Sequence, residues 1–210
     1  MPGAIVLING YPGVGKHTVA QELAKVIPDS KVLDTHHLDL AAGSVHPKDS
    51  AGYDELRRTL RHAVLSSLSS SPSSPSSIYI ITDTLLSSPV HLPVLQLYLT
   101  PLPLVHIILS CSTSTNVSRI LSDPSRAGRG KVADESAVME LRMEEEVAHF
   151  QTLRGGRVQG LQAEVEIDTD RLDKGLMGGT VAECVLDALR SAGVWVMPRR
   201  SSGASLASTF

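Results

Sequence analysis

Apolar positions along the chain fall into short blocks whose spacing switches between the strand and the helix period. Ala4 to Ile8 is an unbroken, β-branched apolar run, the pattern of a strand buried on both faces. From Lys16 to Ile27 the spacing changes. Val19, Ala20, Leu23, Ala24 and Ile27 share one side of a helix that Pro28 stops. Lys31 to Leu33 predicts a second, shorter strand, and Leu56, Leu60, Val64 and Leu68 predict a helix over Tyr53 to Leu68. Ile78 to Ile81 and Leu104 to Leu109 predict two more strands, with a partly helical stretch, Pro89 to Thr100, between them. A charged helix over Asp134 to Phe150, a last strand at Val165 to Asp168 and a closing helix over Thr180 to Arg190 complete the series. Five short apolar strands separated by helices predict an α/β domain with a largely parallel sheet and helices on both faces, a three-layer sandwich.

Two segments break the rhythm. Residues 66–77 hold nine serines and two prolines in twelve positions, too little apolar surface to offset the entropy of ordering, and predict a flexible loop inside the domain. The Ser-rich end, 198–210, predicts a disordered tail, leaving 1–197 as one domain.

Composition narrows the function. With 210 residues, 42% hydrophobic, the chain is long enough for one buried core, and a net charge of −3 argues against a nucleic-acid coat or a basic membrane binder. The longest apolar stretch, Val90 to Leu109, is broken by Pro93, Pro101 and Pro103, so no membrane span is expected. Two cysteines without metal spacing, and no basic residue ahead of the first apolar run, suggest a reduced, cytoplasmic setting.

The strongest chemical signal is Gly10-Tyr11-Pro12-Gly13-Val14-Gly15-Lys16-His17-Thr18. A strand feeds a glycine loop that opens a helix, which places backbone amides and the positive helix end against phosphate, with Lys16 to reach the β- and γ-phosphates. The loop is thus a candidate ATP site. The strict pattern has Ser or Thr after the lysine. Here His17 stands there, leaving Thr18 as the hydroxyl for Mg²⁺ or a phosphate.

In open α/β sheets ligands gather beyond the carboxyl ends of the strands, which brings Asp34, His36 and Asp83 forward. Asp34 either orients an acceptor hydroxyl and takes its proton or caps the next turn. Asp83, directly beyond an apolar run, either joins the Mg²⁺ shell, contacts substrate, or forms a strand-end turn. His36 is a substrate contact or an ordinary loop residue. It cannot easily share a metal with His37, because neighbours in extended chain point opposite ways. Arg57 and Arg61, one turn apart, are candidates for binding an anionic substrate or are simply solvated. Arg119 to Lys131 (RILSDPSRAGRGK) carries four basic residues and two glycines, the composition of a lid over about 119–133 or of a solvated loop.

The GxPGxGKxT loop resembles that of adenylate kinase. The wider order, from this loop through strands ending in Asp, Thr-Asp and Ser-Cys to an Arg-rich segment, is similar to small P-loop kinases such as shikimate kinase, gluconate kinase and chloramphenicol phosphotransferase. It also resembles proteins known as AAA-domain ATPases. The resemblance implies a P-loop NTPase fold with a small lid. It also implies a substrate-touching Asp34 and lid arginines at Arg126 and Arg129. Activity is then expected to be transfer of the γ-phosphoryl of Mg·ATP to a small acceptor. A nucleotide-dependent switch acting through a protein partner, and a degenerate kinase that binds without turnover, stand as alternatives.

Overall fold

The computed structural model describes residues 3–70, 77–150, 158–170 and 177–194. Five strands, β1 (Ala4–Gly10), β2 (Lys31–Asp34), β3 (Ile78–Thr82), β4 (Leu104–Ser110) and β5 (Leu161–Asp168), form one sheet in the order β2-β3-β1-β4-β5. Every pairing is parallel, so the expected α/β fold holds. From β1 the chain goes to the sheet edge at β2, returns to β3 between the two, and then crosses to β4 and β5 on the other side, which puts the switch of direction at β1.

Alternation along the central strands divides the core into two faces. Val6, Ile8, Ile80, Val105 and Ile107 pack toward α1 (Lys16–Val26) and the closing helix, Met177–Ser191. Ile5, Leu7, Ile81 and Leu104 pack on the other face, with Leu65, Leu95, Tyr98 and Phe150. Between β2 and β3 run α2 (His36–Gly43) and α3 (Ala51–Ser70), and α4 (His91–Leu97) precedes β4. Next come α5 (Thr113–Leu121), α6 (Ser125–Gly128) and α7 (Glu135–Glu144), which make the closing helix α8.

Several expectations need correction. Residues 66–70 continue α3 instead of forming a loop. There the Ser67 hydroxyl donates to the Val64 carbonyl 2.6 Å away, within the span 53–68 that was also expected to be helical. The rest of the Ser-rich stretch, 71–76, and the tail, 198–210, lie outside the described residues. Pro93 does not prevent α4, because it falls in the first turn, where an amide has no helical partner. The charged helix stops at Glu144, not Phe150. Glu145 turns extended and Val147 bridges Leu86, carrying Ala148 and Phe150 into the core. The last strand starts at Leu161, four residues early; Ala163, Val165 and Ile167 face the core and polar residues alternate with them. Arg119, expected in the lid, belongs to α5, whose N-cap Ser112 accepts from the Thr115 amide. Among the described residues no helix is long and apolar enough to cross a membrane.

Candidate active site at the head of the sheet

Gly10 and Gly13 hold the loop after β1 in shapes that a side chain resists. Gly10 has φ +145°, and a Cβ there would sit 2.5 Å from the Leu109 carbonyl oxygen. Gly13 has φ +89°, and its Cβ would meet Ile120 Cγ1 at 2.5 Å. Buried Asn9 fixes the loop's start, accepting from the amides of Gly10 and Leu85 and donating to the Leu85 carbonyl. Asn116 of α5 donates to the Pro12 carbonyl at 2.7 Å. Arg142 lies over the Tyr11 ring at 4.5 Å, while the Tyr11 hydroxyl donates to the Glu145 carbonyl. Val14 is buried beneath the loop.

Gly15 caps α1 without a side chain, and nothing among the described residues accepts from the amides of Gly15, Lys16, His17 or Thr18. These orphan donors at a positive helix end suit phosphate oxygens. Lys16 curls over the loop, its Nζ donating to the carbonyls of Gly10 (2.6 Å) and Tyr11 (2.9 Å) and to Thr84 Oγ1 (2.9 Å). Burial, helped by the cations of Lys131 and Arg126 and opposed by Asp83 and Asp34, pulls its pKa down to about 7.

A phosphate set against that amine favours its charged form. Nucleotide binding at pH 8 is therefore expected to take up most of one proton. The uptake should fall away below pH 6, where Lys16 is already protonated, and affinity should weaken as pH rises through 7. Calorimetry in buffers of different ionisation enthalpy measures the uptake, which Lys16→Ala should abolish.

The loop forms one end of a cleft of about 630 Å³. Seven cationic side chains and four aspartates line it, so the cleft is positive in a chain of net charge −3 and suits a polyanion. His17 and Thr18 lie exposed at its edge, with His17 Nδ1 3.8 Å from Asp34 Oδ2. Asp34 closes β2. Its Oδ2 meets Lys131 Nζ at 2.9 Å, and its Oδ1 accepts from Thr82 Oγ1 and the His36 amide. Burial would raise its pKa, but Lys131 and the His36 amide outweigh burial and hold the carboxyl below the usual range, so it is ionised at neutral pH.

Asp83 requires a correction. Its Oδ2 accepts from Arg61 Nε (3.0 Å) and the Tyr98 hydroxyl (2.8 Å), and its Oδ1 from Arg61 Nη2 (3.0 Å) and the Thr84 amide (2.9 Å). Four donors fill the four acceptor positions of a carboxylate, leaving none for Mg²⁺ or substrate. Arg61 is corrected with it. The side chain is buried, and its Nη1 stands 2.9 Å from Asp39 Oδ1 in an ion pair, though not aligned to donate. Arg57 does line the cleft, its Nε donating to Asp39 Oδ1 at 2.8 Å. Thr18 is then the hard oxygen left for Mg²⁺ among the candidates, which fits an ion held mainly by nucleotide phosphates and water.

The segment 125–131, inside the expected lid, lies against α2. His36 Nε2 meets the Arg129 carbonyl at 2.8 Å, and Gly130 packs on Leu40. Arg126 reaches the cleft with its Nε held by the Val132 carbonyl. Arg129 also lines the cleft but pairs with Asp123, and the cation of this segment that meets Asp34 is Lys131, which the sequence pattern shows only as part of a basic run. Thr84, Asn9, Asn116 and His91 were also missed; none belongs to a recognisable local pattern. Arg119 binds Thr169 through both Oγ1 and the carbonyl, beside the loop. Cys111 is buried, and burial raises its thiol, which rules it poorly suited as a nucleophile.

A family model described as an AAA domain matches residues 6–146, most of the chain. The chain belongs to that family. No curated protein matches the sequence. Among solved structures, this AAA-domain chain is similar to a sugar kinase from Janibacter sp. at 14% identity and TM-score 0.64, over 93% of this chain and 100% of that one. It is similar to the tunicamycin resistance protein of Deinococcus radiodurans at 19% and 0.55, over 94% and 99%. A shikimate kinase from Bacteroides thetaiotaomicron gives 13% and 0.56, over 89% and 98%. At these identities the likeness shows the shared fold, that of small P-loop kinases.

Proposed function

We propose that this protein is an ATP-dependent small-molecule kinase. The observation that carries the reading is one positive cleft holding three parts: the amide-lined loop with Lys16, the ionised Asp34, and a basic lid segment. In this reading the amides of Gly15 to Thr18 and the Lys16 ammonium hold the β- and γ-phosphates. Arg126 and Lys131 add positive charge from the lid and exclude water. Asp34 orients the acceptor hydroxyl and takes its proton as the new P–O bond forms and the bond to ADP breaks, with the lysine of the lid moving off the carboxylate to admit the acceptor. Mg²⁺, when bound with the nucleotide beside Thr18, neutralises phosphate charge. His36 anchors the lid through the Arg129 carbonyl, and Arg57 contacts the acceptor.

The test is ADP release from Mg·ATP, with wild type and Lys16→Ala compared across pools of nucleoside monophosphates and hydroxylated metabolites. Acceptor-dependent ADP supports the kinase. Slow release that ignores acceptors and needs Lys16 overturns it in favour of a nucleotide-dependent switch. Asp34→Asn is expected to lower kcat by about 10²-fold or more while the KM for ATP stays within about threefold, because the amide keeps the shape but not the base. Steady-state kinetics with the acceptor found in the pools measures both.

A further inference from the structure

The wall of the cleft contains a pair of donors that face each other. His91, at the start of α4, accepts a hydrogen bond at Nδ1 from the Leu86 amide at 3.3 Å. That bond leaves Nδ1 without a proton, so the neutral ring carries its N–H on Nε2. Nε2 lies 3.5 Å from Nη1 of Arg57, and an arginine nitrogen cannot accept. In that tautomer the two N–H groups face each other as donors, and neither satisfies the other. The carboxylates nearby do not resolve the conflict. Asp39 takes Arg57 Nε, Asp54 Oδ1 stands 3.8 Å from Arg57 Nη1, and Glu145 Oε2 stands 3.8 Å from His91 Nδ1, all but the first beyond hydrogen-bond length. Burial, then the charge of Arg57, lowers the His91 pKa and keeps the ring neutral. Both side chains line the cleft, and Leu86 is two residues beyond Thr84, the partner of Lys16.

Two N–H groups converging from separate helices suit one shared oxygen, and a guanidinium favours a charged one. We propose that His91 is a specificity-determining residue whose Nε2–H, with Arg57 Nη1, holds one oxygen of an anionic group on the acceptor, a carboxylate or a phosphate monoester. The acceptor is then a hydroxylated acid or a phosphorylated alcohol, not a neutral polyol. The word acceptor rests on the kinase reading; the anion site itself does not.

The full chain, with ¹⁵N-labelled histidine, is titrated separately with acetate and inorganic phosphate while the His91 Nε2–H resonance is followed. A saturable shift with acetate identifies a carboxylate site, and one with phosphate alone identifies a phosphate-ester site. A shift confined to His17 in the glycine loop, with His91 unmoved by both anions, overturns the proposal whether or not the protein is a kinase. Two variants separate structure from recognition. His91→Asn keeps an oxygen for the Leu86 amide but loses the distal donor, and is expected to raise acceptor KM at least tenfold with the KM for ATP unchanged. His91→Gln, which returns a distal N–H, is expected to recover part of that loss. Wild-type acceptor KM in a folded His91→Asn variant, or efficient phosphorylation of a neutral polyol, overturns the proposal while leaving the kinase reading intact.

Discussion

Lys16→Ala is expected to lower acceptor-dependent ADP formation by about 10²–10³-fold or more, the scale of losing one preorganised charge from a transition state. The effect should fall on kcat as well as on nucleotide affinity. The amine sits where charge grows on the transferring phosphoryl group, and backbone amides alone cannot follow that growth. Stability should hardly change. Among the described residues Nζ is bound to two loop carbonyls and the Thr84 hydroxyl, and burial already costs the cation enough to bring its pKa to about 7. Relief of that cost offsets the lost hydrogen bonds, so the melting temperature is expected to stay within about 3 °C of wild type. Kinetics and thermal melts on the same preparation check both parts. Wild-type turnover in this variant would remove the glycine loop from the chemistry.

The parts of the site legible in the sequence are those set by neighbours along the chain. A β-branched run, glycines at positions that need unusual φ, a lysine and a helix stripe lie within the first 27 residues, and local physics places them. Asp34 was legible for a related reason, since in a parallel sheet the residue ending a short strand faces the ligand edge. The Asp83 role was misread because its partner is 22 residues away on a helix. The apolar stripe expected on that helix was Leu56, Leu60, Val64 and Leu68, yet its buried line is Tyr53, Arg61 and Leu65. The signal was available in one form. Tyr53, Arg57, Arg61 and Leu65 recur every fourth residue, and an arginine within a core stripe requires a carboxylate to meet it. Lys131 was hidden differently. Which of several lid cations reaches Asp34 depends on how 125–131 turns around Gly130, and no periodicity encodes that turn.

The same buried pair carries the largest expected effect on stability. Arg61→Ala leaves Asp83 ionised, buried and short of its main counter-charge, with the Tyr98 hydroxyl and the Thr84 amide still donating. Breaking such a pair from one side costs about 3–5 kcal/mol, and a loss of that size lowers the melting temperature of a chain this long by about 10 °C. The cost should be mostly that of a stranded charge, which can be tested in two ways. Adding Asp83→Asn to Arg61→Ala removes the charge and is expected to recover a large part of the loss, so the two changes are far from additive. The pH dependence should also change sign. In the wild type Arg61 and the other donors outweigh burial and hold the Asp83 pKa far below its ordinary 3.8, so the stability it supplies is complete above pH 4 and is lost only as pH falls through strong acid. In Arg61→Ala burial prevails, the folded pKa rises above 3.8, and protonation relieves the stranded charge. The deficit relative to wild type is therefore expected to shrink as pH falls from 7 toward 5. Thermal melts across that range measure it, and a deficit constant with pH would mean that Arg61 stabilises the domain by packing and not by charge.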